Sequence, residues 1–432
     1  MNIVSLPINA QIRISTKKAS YEGLLLPKEG DEIVLKLKSG YNIGLLPKHI
    51  TNAKVLEKPK KKEPAEKHAV HQNESLPKVM ILHTGGTIAS KVDYETGGVV
   101  AQFSPDELIG LFPELQELAF IESELVGNMQ SDDFRFAHFN IVAKKIFAQA
   151  KKGANKFIVT SGTDFLHYLA TALSFILSDV PVGVLVVGAQ RSSDRGSSDA
   201  GMNLACATQF LATQDFRGVG VCMHASIEDD ACVILPGVNV RKMHSSRRDA
   251  FKPINKGPLA KVSYSGKQVT LLEDLAQAND NALPRSLSLL DEQLRIGMVW
   301  AKPQMFPEEF GCYDEFDGLV LVMSGLGHFP ITAFDDHCKL HGVIHERIRH
   351  LAVKMPVVAA VQTIYGRVDM DVYSPGRALQ EAGVIGNGSV MSPETAYIKL
   401  AWLLSNHEQD VKKSFLQDFV GEMNSDESNL YW

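Results

Sequence analysis

The chain has 432 residues, enough for two or three domains, and carries a formal net charge of −6 with 45% hydrophobic and 22% charged residues. This balance excludes a general electrostatic attraction to nucleic acid, so such a partner would need a local basic surface or another polypeptide. Five cysteines without a C-x-x-C pair exclude a disulfide framework and the common zinc motifs. Because no apolar run reaches the roughly 20 residues of a membrane helix and residues 1–10 do not form a signal peptide, we expect a cytoplasmic protein.

Residues 1–57 alternate short apolar stretches with Gly, Pro and Lys. Two of these stretches, 33–38 and 41–45, flank Ser39-Gly40, which predicts a β-hairpin. We therefore predict a small β-barrel or curled sheet in this module. Modules of this kind usually bind or position another molecule and do no chemistry themselves.

Within the interval 58–77, the stretch up to His68 is polar and rich in lysine, with prolines at 59 and 64. Such a composition cannot form a core and predicts a linker. The lysines could contact RNA phosphates, but a solvated tether is the simpler interpretation.

From Lys78 onward, strand-length apolar runs alternate with helical patterns, which predicts parallel sheets buried on both faces. The clearest runs are 79–82, 157–159, 182–187, 295–300, 318–323 and 357–361. The interval 275–293 lacks apolar periodicity, and we interpret it as a linker. The sequence thus predicts a large α/β domain at 78–280 that carries the active site and a smaller one at 294–425.

Three polar turns follow predicted strands, at 84–87, 160–164 and 188–199, where ligands of parallel α/β sheets bind. The first, T-G-G-T, has neither phosphate-loop nor dinucleotide-loop spacing, so a tight turn and a site remain alternatives. In the second, Thr163 and Asp164 precede a helical apolar stripe, where either could be an N-cap. Two adjacent polar groups after a second such turn indicate a shared cavity. The third turn is a structured polar loop or a site wall.

The segment 241–251 contains four cations within eight residues. A solvated basic face is the usual explanation. The alternative is a lysine turned inward, because a threonine hydroxyl needs a neighbouring base and a buried lysine can serve as one. Spacing alone does not identify that lysine.

Together these motifs resemble the L-asparaginase/glutaminase amidohydrolases over about residues 78–425. The motifs, in the order found in that family, are T-G-G-T-I-A-S at 84–90, S-G-T-D at 161–164, G-A-Q-R-S-S at 188–193 and the lysine segment at 241–252. More narrowly, the chain resembles the glutaminase subunits of archaeal tRNA-dependent amidotransferases. That likeness is carried by residues 21–27 and 40–44 of the N-terminal module, by Arg191–Asp194 and Arg241–Phe251, and by 362–368.

The resemblance implies a role for each polar residue of these motifs. Thr87 would be the nucleophile that forms the acyl-enzyme, and Tyr94 would assist or orient it. Thr163, Asp164 and Lys242 would form a second catalytic group. Asp164 would also bind the α-ammonium of the substrate through charge-assisted hydrogen bonds.

On the substrate-binding side, the resemblance implies that backbone N–H groups of Gly86 and Gly162 contact the substrate and its oxyanion. Two positions depart from the family pattern. Ser161 replaces a histidine before G-T-D, and Val126 replaces a serine that contacts the substrate carboxylate. Ser131 or backbone groups could take over that contact.

The function implied by the resemblance is that of a glutaminase subunit, with no cofactor in this chain. It would pass ammonia to the E subunit of the amidotransferase, which uses ATP and magnesium to phosphorylate and amidate Glu on tRNA(Gln). Glu-tRNA(Gln) would be bound mainly by that partner, and the chain would form a homodimer within a heterotetramer. Two alternatives remain open, a free cytoplasmic L-asparaginase and a scaffold subunit with an impaired site.

Overall fold

The structure is a computed structural model. It describes residues 6–8, 10–26, 32–37, 42–57, 72–86, 88, 90–92, 99–101, 105–191, 197–275, 283–407 and 411–424. The described strands are β1 Gln11–Thr16, β2 Ser20–Leu25, β3 Ile33–Leu37, β4 Asn42–Leu45, β5 Ile50–Glu57, β6 Lys78–His83, β7 Ser90–Val92, β8 Val99–Ala101, β9 Phe120–Leu125, β10 Lys156–Thr160, β11 Gly183–Val187, β12 Gly218–His224, β13 Ala231–Pro236, β14 Val240–Lys242, β15 Phe251–Pro253, β16 Ala260–Ser263, β17 Gln268–Leu271, β18 Ile296–Trp300, β19 Gly318–Met323 and β20 Val357–Val361. The described α-helices are α1 Pro105–Leu111, α2 Leu115–Leu118, α3 Phe136–Ala150, α4 Leu166–Ile176, α5 Ala200–Thr213, α6 Lys339–Lys354, α7 Ser374–Glu381, α8 Pro393–Asn406 and α9 Val411–Ser414.

The N-terminal strands form a five-stranded antiparallel sheet in the order β4-β3-β2-β1-β5. The predicted hairpin is confirmed, because β3 pairs with β4 and Leu35 lies opposite Ile43; its turn falls outside the described residues. Ile12, Ile14 and Leu35 are fully buried, as expected where alternate side chains share one face. Of the two predicted forms, barrel and curled sheet, the described strands form a sheet with β4 and β5 at its edges.

The end of the predicted linker contacts the large α/β part of the chain. Residues 58–71 lie outside the described residues, but the side-chain amide of Gln72 donates to Ile121 O and accepts from Ile121 N, at 3.0 and 2.7 Å. These two bonds satisfy backbone groups of β9, which is an edge strand of the large sheet.

That large sheet has eight strands in the order β17-β16-β13-β12-β11-β10-β6-β9. Its strands from β12 to β9 are parallel, whereas β13, β16 and β17 add on antiparallel. Phe157 and Val159 pack into a core shared with α3 and α4, while Ile158 packs into a second core with α5. Both faces are therefore covered, as the continuous apolar runs predicted.

The C-terminal part contains the parallel three-stranded sheet β18-β19-β20, which confirms the remaining predicted strands. Helix α8 packs against this sheet and against α4 of the large sheet. The α4–α8 contact is apolar, and Val320, Leu173 and Trp402 belong to one core. No helix in the described part of the chain is long and apolar enough to cross a membrane.

Candidate active site

The three polar turns meet at the carboxyl edge of the large sheet. Strands β6, β10 and β11 are neighbours in register there, with Thr160 opposite both His83 and Val187. A Cβ added to Gly86, whose φ is +79°, would lie 2.7 Å from Gly162 Cα. A Cβ added to Gly188 would lie 2.8 Å from Thr163 Cγ2. Only glycine permits these approaches, and through them the three turns come together in one place.

Lys242 reaches the second of these turns. Its Nζ donates to Thr163 Oγ1 and to Asp164 Oδ1, each at 2.8 Å. The lysine side chain is only 10% exposed, whereas the Asp164 side chain is 68% exposed. The capping alternative is wrong, because α4 begins at Leu166 and its N-cap, Phe165, makes no side-chain cap bond.

The basic segment is solvated only in part: residues 243–247 are exposed, but the side chains of Lys242 and Arg248 are largely covered. Lys242 turns inward from β14, a short strand paired only with β15 among the described strands. Each arginine of the segment has a carboxylate partner: Arg241 with Glu394, Arg247 with Asp249 and Arg248 with Asp229. Spacing alone did not identify the inward lysine; it is Lys242, the residue that the resemblance implied.

Gln190, from the third polar turn, lines the site beside Thr163. Thr163 Oγ1, which accepts from Lys242, donates to Gln190 Oε1 in a long contact of 3.5 Å. The fully buried Asp199 carboxylate accepts from the backbone N–H groups of Gln190 and Arg191, both at 2.9 Å. Sequence reasoning named this loop as a wall but missed Gln190 and Asp199. The long polar loop was the only available signal.

In the T-G-G-T turn, the first threonine has a structural contact. Thr84 is buried, and its Oγ1 donates to Thr160 O at 2.8 Å. The neighbouring His83 ring lies 2.9 Å from Thr160 Oγ1, and burial lowers the pKa of His83 to about 4. Thr87 and Tyr94, the predicted nucleophile and its assistant, lie outside the described residues.

The two departures from the family pattern differ in their surroundings. Ser161 is fully buried, and within the described part of the chain its hydroxyl has no hydrogen-bond partner. The Val126 side chain packs against the large apolar core. Ser131 Oγ instead accepts from Phe165 N at 3.1 Å and would lie 3.0 Å from a Cβ on Gly162. Ser131 therefore has its hydroxyl beside the S-G-T-D turn.

A buried histidine, His167, lies near Arg241 and Lys242. Burial first, and then the positive charges of Arg241 and Lys242, lower the pKa of His167 to about 3. The imidazole is therefore uncharged at neutral pH and adds no third cation to this cluster. In the described residues, no group of three or more His, Cys, Asp and Glu side chains could hold a metal ion.

Comparisons with known proteins agree with this geometry. Family models match the chain in three stretches: "GatD N-terminal domain" at 8–56, "Asparaginase, N-terminal" at 78–277 and "Glutaminase/Asparaginase C-terminal domain" at 298–415. Among solved structures, the thermostable L-asparaginase from Thermococcus kodakarensis is 28% identical, with a TM-score of 0.70 over 81% of this chain and all of that one. Fold and site thus define an asparaginase-type α/β protein.

Curated relatives narrow the assignment. The D subunit of the glutamyl-tRNA(Gln) amidotransferase of Methanococcus maripaludis strain C5 is 38% identical over 96% of this chain and 97% of its own length. The corresponding D subunit of Pyrococcus horikoshii is 39% identical over 93% of this chain and 91% of its own length. The chain belongs to the family of glutamyl-tRNA(Gln) amidotransferase D subunits.

Proposed function

We propose that this chain is the glutaminase subunit of a tRNA-dependent amidotransferase, which hydrolyses glutamine and supplies ammonia for converting Glu-tRNA(Gln) to Gln-tRNA(Gln). One observation carries the reaction class: Lys242 donates to both Thr163 and Asp164 at the point where the glycine turns converge. Such a group can move a proton for acyl transfer without a cofactor.

In the proposed reaction, the Thr87 hydroxyl attacks the side-chain carbonyl of glutamine. The carbon–nitrogen bond breaks, ammonia leaves with a proton, and water then hydrolyses the acyl ester to release glutamate. Lys242 and Thr163 transfer protons in these steps, and Tyr94 assists the nucleophile. Two observations support the proton transfer by Lys242 and Thr163: the short hydrogen bond between them, and the burial of the lysine, which keeps it from bulk water.

Substrate binding is assigned to groups that surround the same point. The Asp164 carboxylate is largely exposed beside its lysine contact, so it remains accessible to the α-ammonium of glutamine. The backbone N–H groups of Gly86 and Gly162 are proposed to contact the substrate and its developing oxyanion. The close approach of these two glycines supports that proposal.

The proposed assembly follows the family. The partner is the E subunit of the amidotransferase, which holds ATP and magnesium and binds most of Glu-tRNA(Gln), and this chain forms a homodimer within a heterotetramer.

We place this chain in the cytoplasm, where tRNA is charged. We also propose the domain division 1–57, 78–280 and 294–425, with 58–77 as a linker; the five-, eight- and three-stranded sheets, which fall one in each range, support it. Light scattering measures the oligomeric state. A monomeric chain that retains full activity would contradict the homodimer.

Ammonia release from glutamine and from asparagine, measured with and without the E subunit and tRNA, tests the proposal. Glutamine hydrolysis that depends on, or is raised by, the partner and tRNA is the expected result. Hydrolysis of asparagine alone, unchanged by the partner, would favour a free asparaginase, the class of the Thermococcus kodakarensis structure. No activity under any condition would favour the scaffold, since Val126 and Ser161 depart from the family pattern.

A further inference from the structure

The strand that carries Lys242 is attached to the C-terminal part of the chain by a buried ion pair. Arg241 Nε lies 2.9 Å from Glu394 Oε1, with the arginine side chain 21% and the glutamate side chain 9% exposed. Glu394 lies in the first turn of α8, where the helix dipole stabilises a carboxylate. Arg241 directly precedes Lys242 on β14.

This ion pair fixes the strand from the side opposite the active site. Successive side chains of a strand point to opposite faces, so Lys242 faces Thr163 while Arg241 faces α8. Because β14 has only three residues, few backbone bonds determine its position. The Arg241–Glu394 contact therefore adds a side-chain restraint directly beside Lys242.

Two further contacts join the same regions. Thr395 Oγ1, one residue after Glu394, donates to Val238 O at 2.8 Å. The Asn255 side-chain amide donates to Gly366 O and Val390 O at 2.9 and 2.7 Å. The segment from 238 to 255 is thus bonded to the C-terminal part of the chain before, within and after the two short strands β14 and β15.

The ion pair is not explained by stability alone. Glu394 Oε2 is buried and has no hydrogen-bond partner among the residues that the structure describes. A buried ion pair is often no more stabilising than apolar side chains of similar size, and a buried oxygen without a partner adds a cost. Apolar side chains would not provide a directional contact beside Lys242, whereas the Arg241–Glu394 ion pair does.

We propose that Glu394 is a positioning residue for Lys242 and acts through Arg241, so that the packing of α8 on the three-stranded sheet sets the distance from the lysine Nζ to Thr163. The inference rests on the proposed amidase function, in which Lys242 transfers protons. It makes the C-terminal part of the chain a determinant of turnover, although Glu394 does not touch the substrate.

The test is steady-state glutaminase kinetics on the full chain with its partner and tRNA. Glu394→Gln keeps the size of the side chain and removes its charge. Because a small displacement of a catalytic group has large effects, we expect kcat to fall roughly 10- to 100-fold with little change in KM. Arg241→Met removes the same contact from the other side and should have the same effect. The double variant should be no worse than either single one, since both break one interaction.

The matched control is Asp314→Asn, which removes the carboxylate of the Arg347–Asp314 ion pair. Both of these residues lie in the C-terminal part of the chain, so the control measures general loosening there. We expect kcat to remain at the wild-type value. Thermal unfolding of every variant verifies folding, and Arg241→Met replaces Glu394→Gln if the latter does not fold.

Wild-type kcat in both Glu394→Gln and Arg241→Met would overturn the inference. An equal loss in Asp314→Asn, or additive losses in the double variant, would also overturn it. Lys242→Ala separates this failure from that of the proposed function. If the wild type is active and Lys242→Ala is dead while Glu394→Gln is normal, only the positioning role fails. If the wild type has no amidase activity, the proposed function fails and the inference with it.

Discussion

Lys242 Nζ donates a 2.8 Å hydrogen bond to Thr163 Oγ1, across a sequence separation of 79 residues. The same ammonium donates to Asp164, so one buried cation links two adjacent side chains of a turn. Since Thr163 in turn donates to Gln190, its hydroxyl has a defined orientation between a donor and an acceptor. Changes to any of these groups should therefore alter turnover more than they alter the fold.

The first prediction concerns the proposed nucleophile and the lysine. Thr87→Ala and Lys242→Ala should each remove nearly all glutaminase activity and leave the fold intact. Because groups that act as one unit lose activity non-additively, the double variant should be little worse than either single one. Ammonia release in the assembled complex is the measurement, with circular dichroism as the check on folding.

Thr84→Val is the matched control for that prediction. Its hydroxyl bonds to Thr160 O inside the protein, so its loss should lower the free energy of unfolding by about 0.5–1.5 kcal/mol while most activity remains. If Thr84→Val is inactive and Thr87→Ala is active, the nucleophile has been assigned to the wrong threonine.

The second prediction concerns Gln190. Gln190→Met keeps the length of the side chain but removes the acceptor for the Thr163 hydroxyl. Loss of one neutral hydrogen bond of about 0.5–1.5 kcal/mol should lower kcat roughly 2- to 12-fold, with KM little changed. Gln209→Met is a control, because the Gln209 amide bonds to Lys267 O on the exposed surface. A KM effect alone would assign Gln190 to substrate binding instead.

The third prediction concerns the carboxylate of the substrate. Ser131 has its hydroxyl beside the S-G-T-D turn, so Ser131→Ala should weaken glutamine binding. Loss of a hydrogen bond to a charged group costs about 1.5–3 kcal/mol, which corresponds to a KM roughly 10- to 150-fold higher at similar kcat. Val126→Ser is the paired variant. If the KM for glutamine falls in Val126→Ser and stays at the wild-type value in Ser131→Ala, position 126 is the one that contacts the substrate carboxylate.

The fourth prediction is a loss of stability in mild acid. Burial lowers the pKa of His83 to about 4 and, with two nearby cations, that of His167 to about 3, from an ordinary value of 6.5. Below about pH 6.5 the unfolded chain binds protons that the folded chain does not, so the two histidines lower the free energy of unfolding there, whereas above that pH they are neutral in both states. Their contribution should fall as the pH drops from about 6.5 to 4.

Denaturant unfolding at several pH values measures this effect. Replacing either histidine with Gln should make the slope of the unfolding free energy shallower by up to about 1.4 kcal/mol per pH unit over that window. Thr171→Val is the control, since it removes a buried polar group of α4 that does not titrate. An unchanged slope in both histidine variants would contradict the prediction.

The fold class and most of the strands could be predicted from the order of the amino acids alone. Apolar periodicity is a local property, so runs such as 182–187 predict a buried parallel strand without knowledge of their neighbours. The hairpin at 33–45 could also be predicted, because a tight turn depends only on the few residues that lie between its two strands. The order of the motifs, together with the resemblance, identified Thr163, Asp164 and Lys242 as candidates.

The groups that meet these candidates became visible only in the folded chain. Gln190 and Asp199 lie in one loop, Ser131 in the segment after β9 and Glu394 in α8, and no spacing rule relates them to Lys242. A hydrogen bond depends on distance and angle in space, which the packing of α4, β14 and α8 determines. The basic segment illustrates the difference: its charges were visible in the sequence, but the contacts of Arg241 with Glu394 and of Lys242 with Asp164 were not.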